Sequence, residues 1–172
     1  MKVPLLALAA LLLVPALVVD ASAGTPPGLS WRGWDRGLTE ARAAGKPVLV
    51  DVYTDWCGWC RRMDADVYAR PEIRDYLSRK FVTVKIDAEA TDAAHYDGRV
   101  FTSRSLAARL GVSSYPTTLF LRPAGDRPVS VPGYLDAEHF MIVLRYVAEG
   151  HMDAGVPFQE FVKRFPAPAA GR

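Results

Sequence analysis

The chain carries two cysteines, and they stand two residues apart in Trp56-Cys57-Gly58-Trp59-Cys60. No other cysteine is left over to build a structural disulfide. The pair follows an apolar run, Val48-Leu49-Val50-Asp51-Val52-Tyr53, that reads as a buried strand, and it precedes a helix-like stretch from Arg61 to Val67. A Cys-x-x-Cys at a strand-to-helix junction is the pattern of a dithiol that cycles with a disulfide. Unpaired N–H groups and the helix dipole favour negative charge at the first turn of a helix. A thiol there loses its proton more readily than a free one, and the thiolate is the reactive form. Cys57, at or near the N-cap, is the expected nucleophile. Cys60 is about one turn on, within reach of a mixed disulfide formed at Cys57. Arg61 and Arg62 add positive charge nearby.

The same pair could instead be half of a zinc site, which usually needs four protein ligands. His95, His139 and His151 are scattered without ligand spacing. Redox chemistry is therefore preferred over zinc, and zinc over Cu(I); no metal ligand set is assigned.

The elements that must position the dithiol follow an α/β order. Trp31 to Gly37 reads as a lead-in segment and Leu38 to Ala44 as a helix stopped by Gly45 and Pro47. Val48 to Tyr53 is the first clear strand. Pro71 suits the first position of a further helix through Arg79. Phe81 to Asp87 is β-rich. Ser103 can cap a short helix with Leu106 and Leu110 on one face and Gly111 as its stop. Thr117 to Leu121 and Val129 to Val131 flank a Pro-Ala-Gly-Asp turn and read as an antiparallel hairpin. Asp136 can cap a last core helix whose Phe140, Val143, Leu144 and Val147 form an apolar stripe.

The segment from Val50 to Cys60 resembles the active-site segment of thioredoxins, which carry a buried Asp six residues before the first Cys, a Trp just before it and a Cys-Gly-Pro-Cys core. Gly111-Val112-Ser113-Ser114-Tyr115-Pro116-Thr117-Thr118 resembles the loop in which thioredoxins hold a cis-proline against the dithiol. Gly133 matches a glycine that the family often has after its final strand. The likeness covers roughly Lys46 to Gly150. Within the superfamily, Lys46-Pro47-Val48-Leu49-Val50-Asp51 and Pro132 to Phe140 are similar to the C-terminal periplasmic domain of the bacterial thiol-disulfide interchange protein and to small secreted thioredoxin-like proteins. The resemblance implies a thioredoxin fold, a central mixed β-sheet flanked by helices. It implies that Asp51 shuttles a proton for Cys60 through water, and that Trp56, Gly58, Trp59, Tyr115 and Pro116 meet the substrate. The Tyr115 backbone would pair with an extended substrate segment. Burial in an apolar strand by itself would raise the proton affinity of Asp51. Trp56 taken alone reads equally well as core.

Four departures stand out. Trp59 occupies a place where thioredoxins have Pro, which leaves the direction of electron flow open. The lysine that often neighbours the buried Asp is not clearly present; Thr83 falls near its place, with Lys85 two residues on. Ala88 to Ser103 is longer than the corresponding thioredoxin loop and is expected to be a solvated loop or helical extension, with a lid or partner surface as the sharper alternative. Beyond the usual domain end, Phe158, Phe161, Val162 and Phe165 share a helix face and are expected to cover an apolar patch.

Met1-Lys2, an apolar stretch from Val3 to Val19 and then Ala21-Ser22-Ala23 describe a secretory signal peptide cut after Ala23. The alternative is an uncleaved membrane anchor; cleavage is favoured because the stretch is broken by Pro4 and Pro15 and falls short of the about 20 residues a spanning helix needs. The expected organisation is a signal peptide over 1–23, a thioredoxin-like domain over 24–165 with its core at 46–150, and an Ala/Pro-rich frayed tail over 166–172. A net charge of +2 with interspersed signs gives no reason to expect nucleic-acid binding.

The expectation is an exported, monomeric protein-disulfide reductase that needs no dissociable cofactor beyond the Cys57–Cys60 couple. It would act on protein disulfides and be recharged by a membrane electron-transfer protein, because the outside compartment is oxidising. The rivals are a disulfide oxidase or isomerase, a dithiol that carries Cu(I) or zinc, and a domain in which the cysteines only stabilise the fold.

Overall fold

The computed structural model describes residues 29–126 and 128–164. The expected signal peptide, Phe165 and the expected tail lie outside the described residues. Strand β1 (Val48–Tyr53) is the buried centre of the molecule. On one side it pairs in parallel with β2 (Val82–Asp87), and on the other antiparallel with β5 (Thr117–Leu121), which pairs antiparallel with β6 (Val129–Pro132). The result is a mixed sheet in the order β2-β1-β5-β6.

Strand alternation decides what each face receives. Val48, Val50 and Val52 of β1 join Val82, Val84, Ile86, Leu119 and Leu121 in one core. That core is closed by α1 (Trp34–Ala44) and α4 (Ser103–Arg109) through Trp34, Leu38, Ala41 and Leu106. Leu49 and Phe120 point the other way, into a second core formed with Met63, Val67, Tyr68, Ile73, Leu77, Phe140 and Leu144. These come from α2 (Gly58–Met63), the π-helical turn Asp64–Tyr68 that continues it, α3 (Pro71–Lys80) and α5 (Ala137–Ala148). Asp51, Lys85 and Thr118 occupy this second face by register, since Asp51 pairs with Lys85 on one side and with Thr118 on the other. Among the described residues no helix is long and apolar enough to cross a membrane.

Three sequence expectations are corrected. Helix α1 begins at Trp34, so most of the expected lead-in is helical. Gly37 is there for close packing: a Cβ on it would lie 2.1 Å from Val84 Cγ2, so α1 seats directly on β2. The cap of α4 is Thr102 rather than Ser103, in a reciprocal capping box with Ser105. The Ala88–Ser103 segment is neither open loop nor helix. It contains an antiparallel hairpin, β3 (Ala93–Tyr96) and β4 (Arg99–Thr102). Asp97 and Gly98 at its turn both have positive φ, the conformation that makes Asp-Gly a strong hairpin signal. Ala94 enters the first core, and Tyr96 packs edge-on to Trp34. Past the sheet, α6 (Phe158–Arg164) buries Phe161 against Tyr146 and His151 of the α5 end. Phe158 meets Tyr146 and stays partly exposed.

Candidate redox site

The end of β1 delivers the chain into α2, and Cys57 is the N-cap of that helix. Its Sγ accepts a hydrogen bond from the Cys60 N–H at 3.0 Å. The orphan N–H of the first turn thus points at the sulfur that has to carry negative charge. Cys57 and Cys60 are joined as a disulfide across a Cα–Cα distance of 5.3 Å, and both are nearly buried. Gly58 is exposed at the first helical position.

Behind the disulfide lies a charged cluster. Asp51 is 2% exposed. Burial, the largest influence, lifts its pKa to about 6 even though Lys85 pulls it down; the negative Asp64 pushes it up and Tyr68 pulls it down. Lys85 Nζ stands 3.4 Å from Asp51 Oδ2 and bonds both Asp64 oxygens at 2.6 and 2.8 Å. Its ammonium also lies over the rings of Tyr53 and Trp31, at 5.0 and 5.2 Å from their centroids. Lys85 is therefore the basic neighbour of the buried carboxylate, supplied from β2 by register, while Thr83 turns its hydroxyl to Ser30 O. Two clues to this cluster are present in the sequence. Val82, Val84 and Ile86 alternate with Lys85, and Cys60, Asp64 and Tyr68 recur at helical spacing.

In front of the disulfide lies an aromatic rim. Trp56 is 65% exposed and so is no core residue; it meets Tyr115 edge-on at 6.0 Å. Trp59 is 55% exposed and pairs with Tyr134 at 5.4 Å, with the Arg62 guanidinium over both rings. Arg61 instead donates to Asp55 O. The Tyr115–Pro116 peptide is cis and Pro116 is buried. The Tyr115 ring on Trp56 brings this loop beside the Cys-x-x-Cys segment. Tyr134 escaped the sequence reading, since a contact from a loop leaves no periodicity to detect, and Arg62 entered it only as nearby positive charge, although it stands three residues from Trp59 on the same helix. The histidines lie elsewhere: His95 on Asp35, His139 on the α5 cap Asp136, and His151 against Tyr146. Among the described residues no three His, Cys, Asp or Glu side chains group as a metal site.

Comparison with known proteins agrees with this geometry. A family model described as a thioredoxin-like domain matches residues 34–148. The thiol:disulfide interchange protein DsbD 2 of Pseudomonas aeruginosa is 34% identical over 109 residues, 62% of this chain and 17% of that protein. DsbD of Escherichia coli K12 is 31% identical over 113 residues, 64% of this chain and 18% of that protein. The chain thus spans under a fifth of the length of these curated relatives. Among solved structures, a thioredoxin from Thermus thermophilus superposes with a TM-score of 0.61 at 27% identity, over 74% of this chain and 93% of that one. A thioredoxin-fold protein from Helicobacter pylori superposes at 0.63 with 20% identity, over 72% of this chain and 82% of that one, which supports the fold.

Proposed function

Because the chain belongs to the thioredoxin-like domain family of thiol-disulfide oxidoreductases, we propose that it is an exported reductase of protein disulfides. The observation that carries the reading is the Cys57–Cys60 disulfide at a helix N-cap, backed by a buried carboxylate. In the reduced protein the Cys57 thiolate, held by the Cys60 N–H, attacks one sulfur of a substrate disulfide, and the other sulfur leaves as a thiolate. Cys60 gives its proton to Asp51 and attacks Cys57 Sγ. The second substrate sulfur leaves as a thiolate, the two substrate thiolates take up one proton from Asp51 and one from water, and the protein keeps the two-electron-oxidised disulfide. The two sulfurs carry the electrons, so no dissociable cofactor is needed.

The direction rests on charge. Asp51 and Asp64 together outweigh Lys85 behind the sulfurs, and Arg62 is drawn off by Asp66. Beside the Cys57 thiolate that the Cys60 N–H holds, this net negative neighbourhood disfavours ionisation of Cys60, and a dithiol whose second thiolate is not stabilised is a better electron donor. Export rests on the residues 1–23 pattern. An oxidising exterior then requires a membrane electron-transfer partner to recharge a monomeric protein. Pro116 contributes by presenting no N–H toward the sulfurs, with the Tyr115 backbone pairing to the substrate.

The test is the equilibrium potential of the purified protein against a dithiothreitol or glutathione series, read from fluorescence of the tryptophans flanking the couple. A value near about −270 mV is expected. A value near about −120 mV would make the protein an oxidant, and no titratable couple would point to metal binding or a structural role.

A further inference from the structure

Tyr68 is a buried phenol that the exchange scheme above does not use. It closes the π-helical turn after α2, where its ring is held edge-on by Trp31 at 5.0 Å and by Phe140 at 5.5 Å. Its hydroxyl has no hydrogen-bond partner, and neither does Asp51 Oδ1. Both atoms are sealed from solvent in one core. Buried polar atoms are rarely left unpaired, because their desolvation goes uncompensated. Here one orphan is an O–H donor and the other a carboxylate oxygen. They are also electrostatically coupled. Burial, and then the Asp51 charge, raise the proton affinity of Tyr68 well above that of an ordinary phenol, while the phenol pulls that of Asp51 down. In the disulfide state the two groups are therefore within mutual influence without a closed hydrogen bond.

We infer that Tyr68 is a positioning residue for the exchange reaction, its hydroxyl donating to Asp51 Oδ1 when that carboxylate is charged and ready to take the Cys60 proton. The inference rests on the reductase reading, since it gives a role to a residue behind the same couple. Thr118, the β5 partner of Asp51, is the second group the phenol addresses and takes the hydroxyl when Asp51 is protonated. The Oδ2 side is already served by Lys85, so the phenol supplies what the ion pair cannot reach. The other ionisable groups acting on Asp51 are Asp64 from the π-helical turn, which acts against its ionisation, and Tyr53 on its own strand. Cys60 sits on the same helix stripe as Asp64 and Tyr68.

The experiment compares the wild-type chain, Tyr68→Phe, Asp51→Asn and the double variant. For each, the rate of reduction of a disulfide-bonded peptide is followed from pH 5 to 9. The Asp51 carboxyl of the wild type and of Tyr68→Phe is titrated by carbon NMR. Phenylalanine keeps both ring contacts, so the fold is retained. Loss of the donor raises the Asp51 midpoint, and the acid limb of the rate profile moves up by about half to one pH unit. That is about a three- to tenfold loss of rate below the midpoint, with little change above it. In the Asp51→Asn background, Tyr68→Phe changes nothing. An unmoved Asp51 titration, or an equal effect with Asn at 51, overturns the inference. A wild-type chain that fails to reduce the peptide sinks the reductase reading instead, while the NMR titration still judges Tyr68.

Discussion

The two sides of the Cys57–Cys60 disulfide are built on different principles. Behind it, Asp51, Lys85, Thr118 and Tyr68 are fixed by strand register and helix spacing and are largely shut from water. In front, Trp56 and Trp59 stand mostly in solvent, steadied by Tyr115, Tyr134 and Arg62. Charges behind act with little screening, so they set proton affinities. Groups in front cannot do that, but they offer rigid apolar area to an incoming chain. A change behind should therefore alter pH dependence and rate for every substrate, and a change in front should alter discrimination by substrate size.

The largest effects test whether the two sides share one reaction. Cys57→Ser should reduce exchange to background with large and small disulfides alike, because it removes the thiol at the helix N-cap and leaves Cys60 without the partner that closes the disulfide. Cys60→Ser should leave the substrate trapped on Cys57 as a mixed disulfide, visible by mass. Exchange that survives Cys57→Ser would dissolve the comparison altogether.

Next comes Asp51→Asn. Loss of a positioned proton acceptor should slow exchange by about a hundredfold. The same variant should be more stable, and the sign is set by the raised proton affinity. The fold holds the Asp51 proton up to about pH 6, whereas the ordinary value is 3.8. The wild type therefore loses stability as pH rises between those values. At about 1.4 kcal/mol per pH unit, the ionised carboxylate costs about 3 kcal/mol at neutral pH. Urea unfolding at pH 7.5 should favour Asn by about that amount, and the advantage should vanish below pH 4. An equal gain at both pH values would mean that charge burial is not its source.

How much of this was legible in the sequence follows the same division. The dithiol, the apolar strand carrying Asp51 and the stripe of α5 are periodic or local signals, and they give the fold. Lys85 was mentioned but not placed, because its partner depends on which strands pair and in what register. Gly37 reads in the sequence as the end of a lead-in before the helix, yet it lies inside α1, where its missing side chain lets the helix sit on Val84. The Asp97-Gly98 turn carries a hairpin signal, but the strands on either side of it are only four residues long and mostly exposed, so little apolar alternation accompanies it. Tyr134 meets Trp59 only after folding, whereas Arg62 is three residues on in the same helix, so the rim was half visible.

Trp59→Ala probes the front alone. It removes one exposed aromatic pair and a cation–π contact, each about 0.5–1 kcal/mol. The expected result is a several-fold rise in KM for a protein disulfide, an unchanged kcat, and no change with a small aliphatic disulfide. Its pH profile should overlay the wild type. A shifted profile would mean that the indole shields the Asp51 cluster from solvent, and the division into front and back would have to be redrawn.

The smallest effect is expected at the β3–β4 hairpin, which touches neither side as a chemical participant. His95 Nδ1 lies 2.8 Å from Asp35 Oδ2, and the His95 N–H donates to Oδ1 at 2.8 Å. Burial opposes ionisation of Asp35, but these His95 contacts hold its carboxyl below the usual range. A depressed carboxylate adds stability above its unfolded pKa and loses it as pH falls through the folded one. The pair is mostly solvent-exposed, so His95→Ala should cost well under about 1 kcal/mol at pH 7. Most of that difference should disappear once Asp35 is protonated. Exchange rates with both substrate classes should be unchanged. If His95→Ala slows only the protein substrate, the hairpin is an outlying part of the recognition side, and the insertion between β2 and α4 extends the surface begun by Trp56 and Trp59.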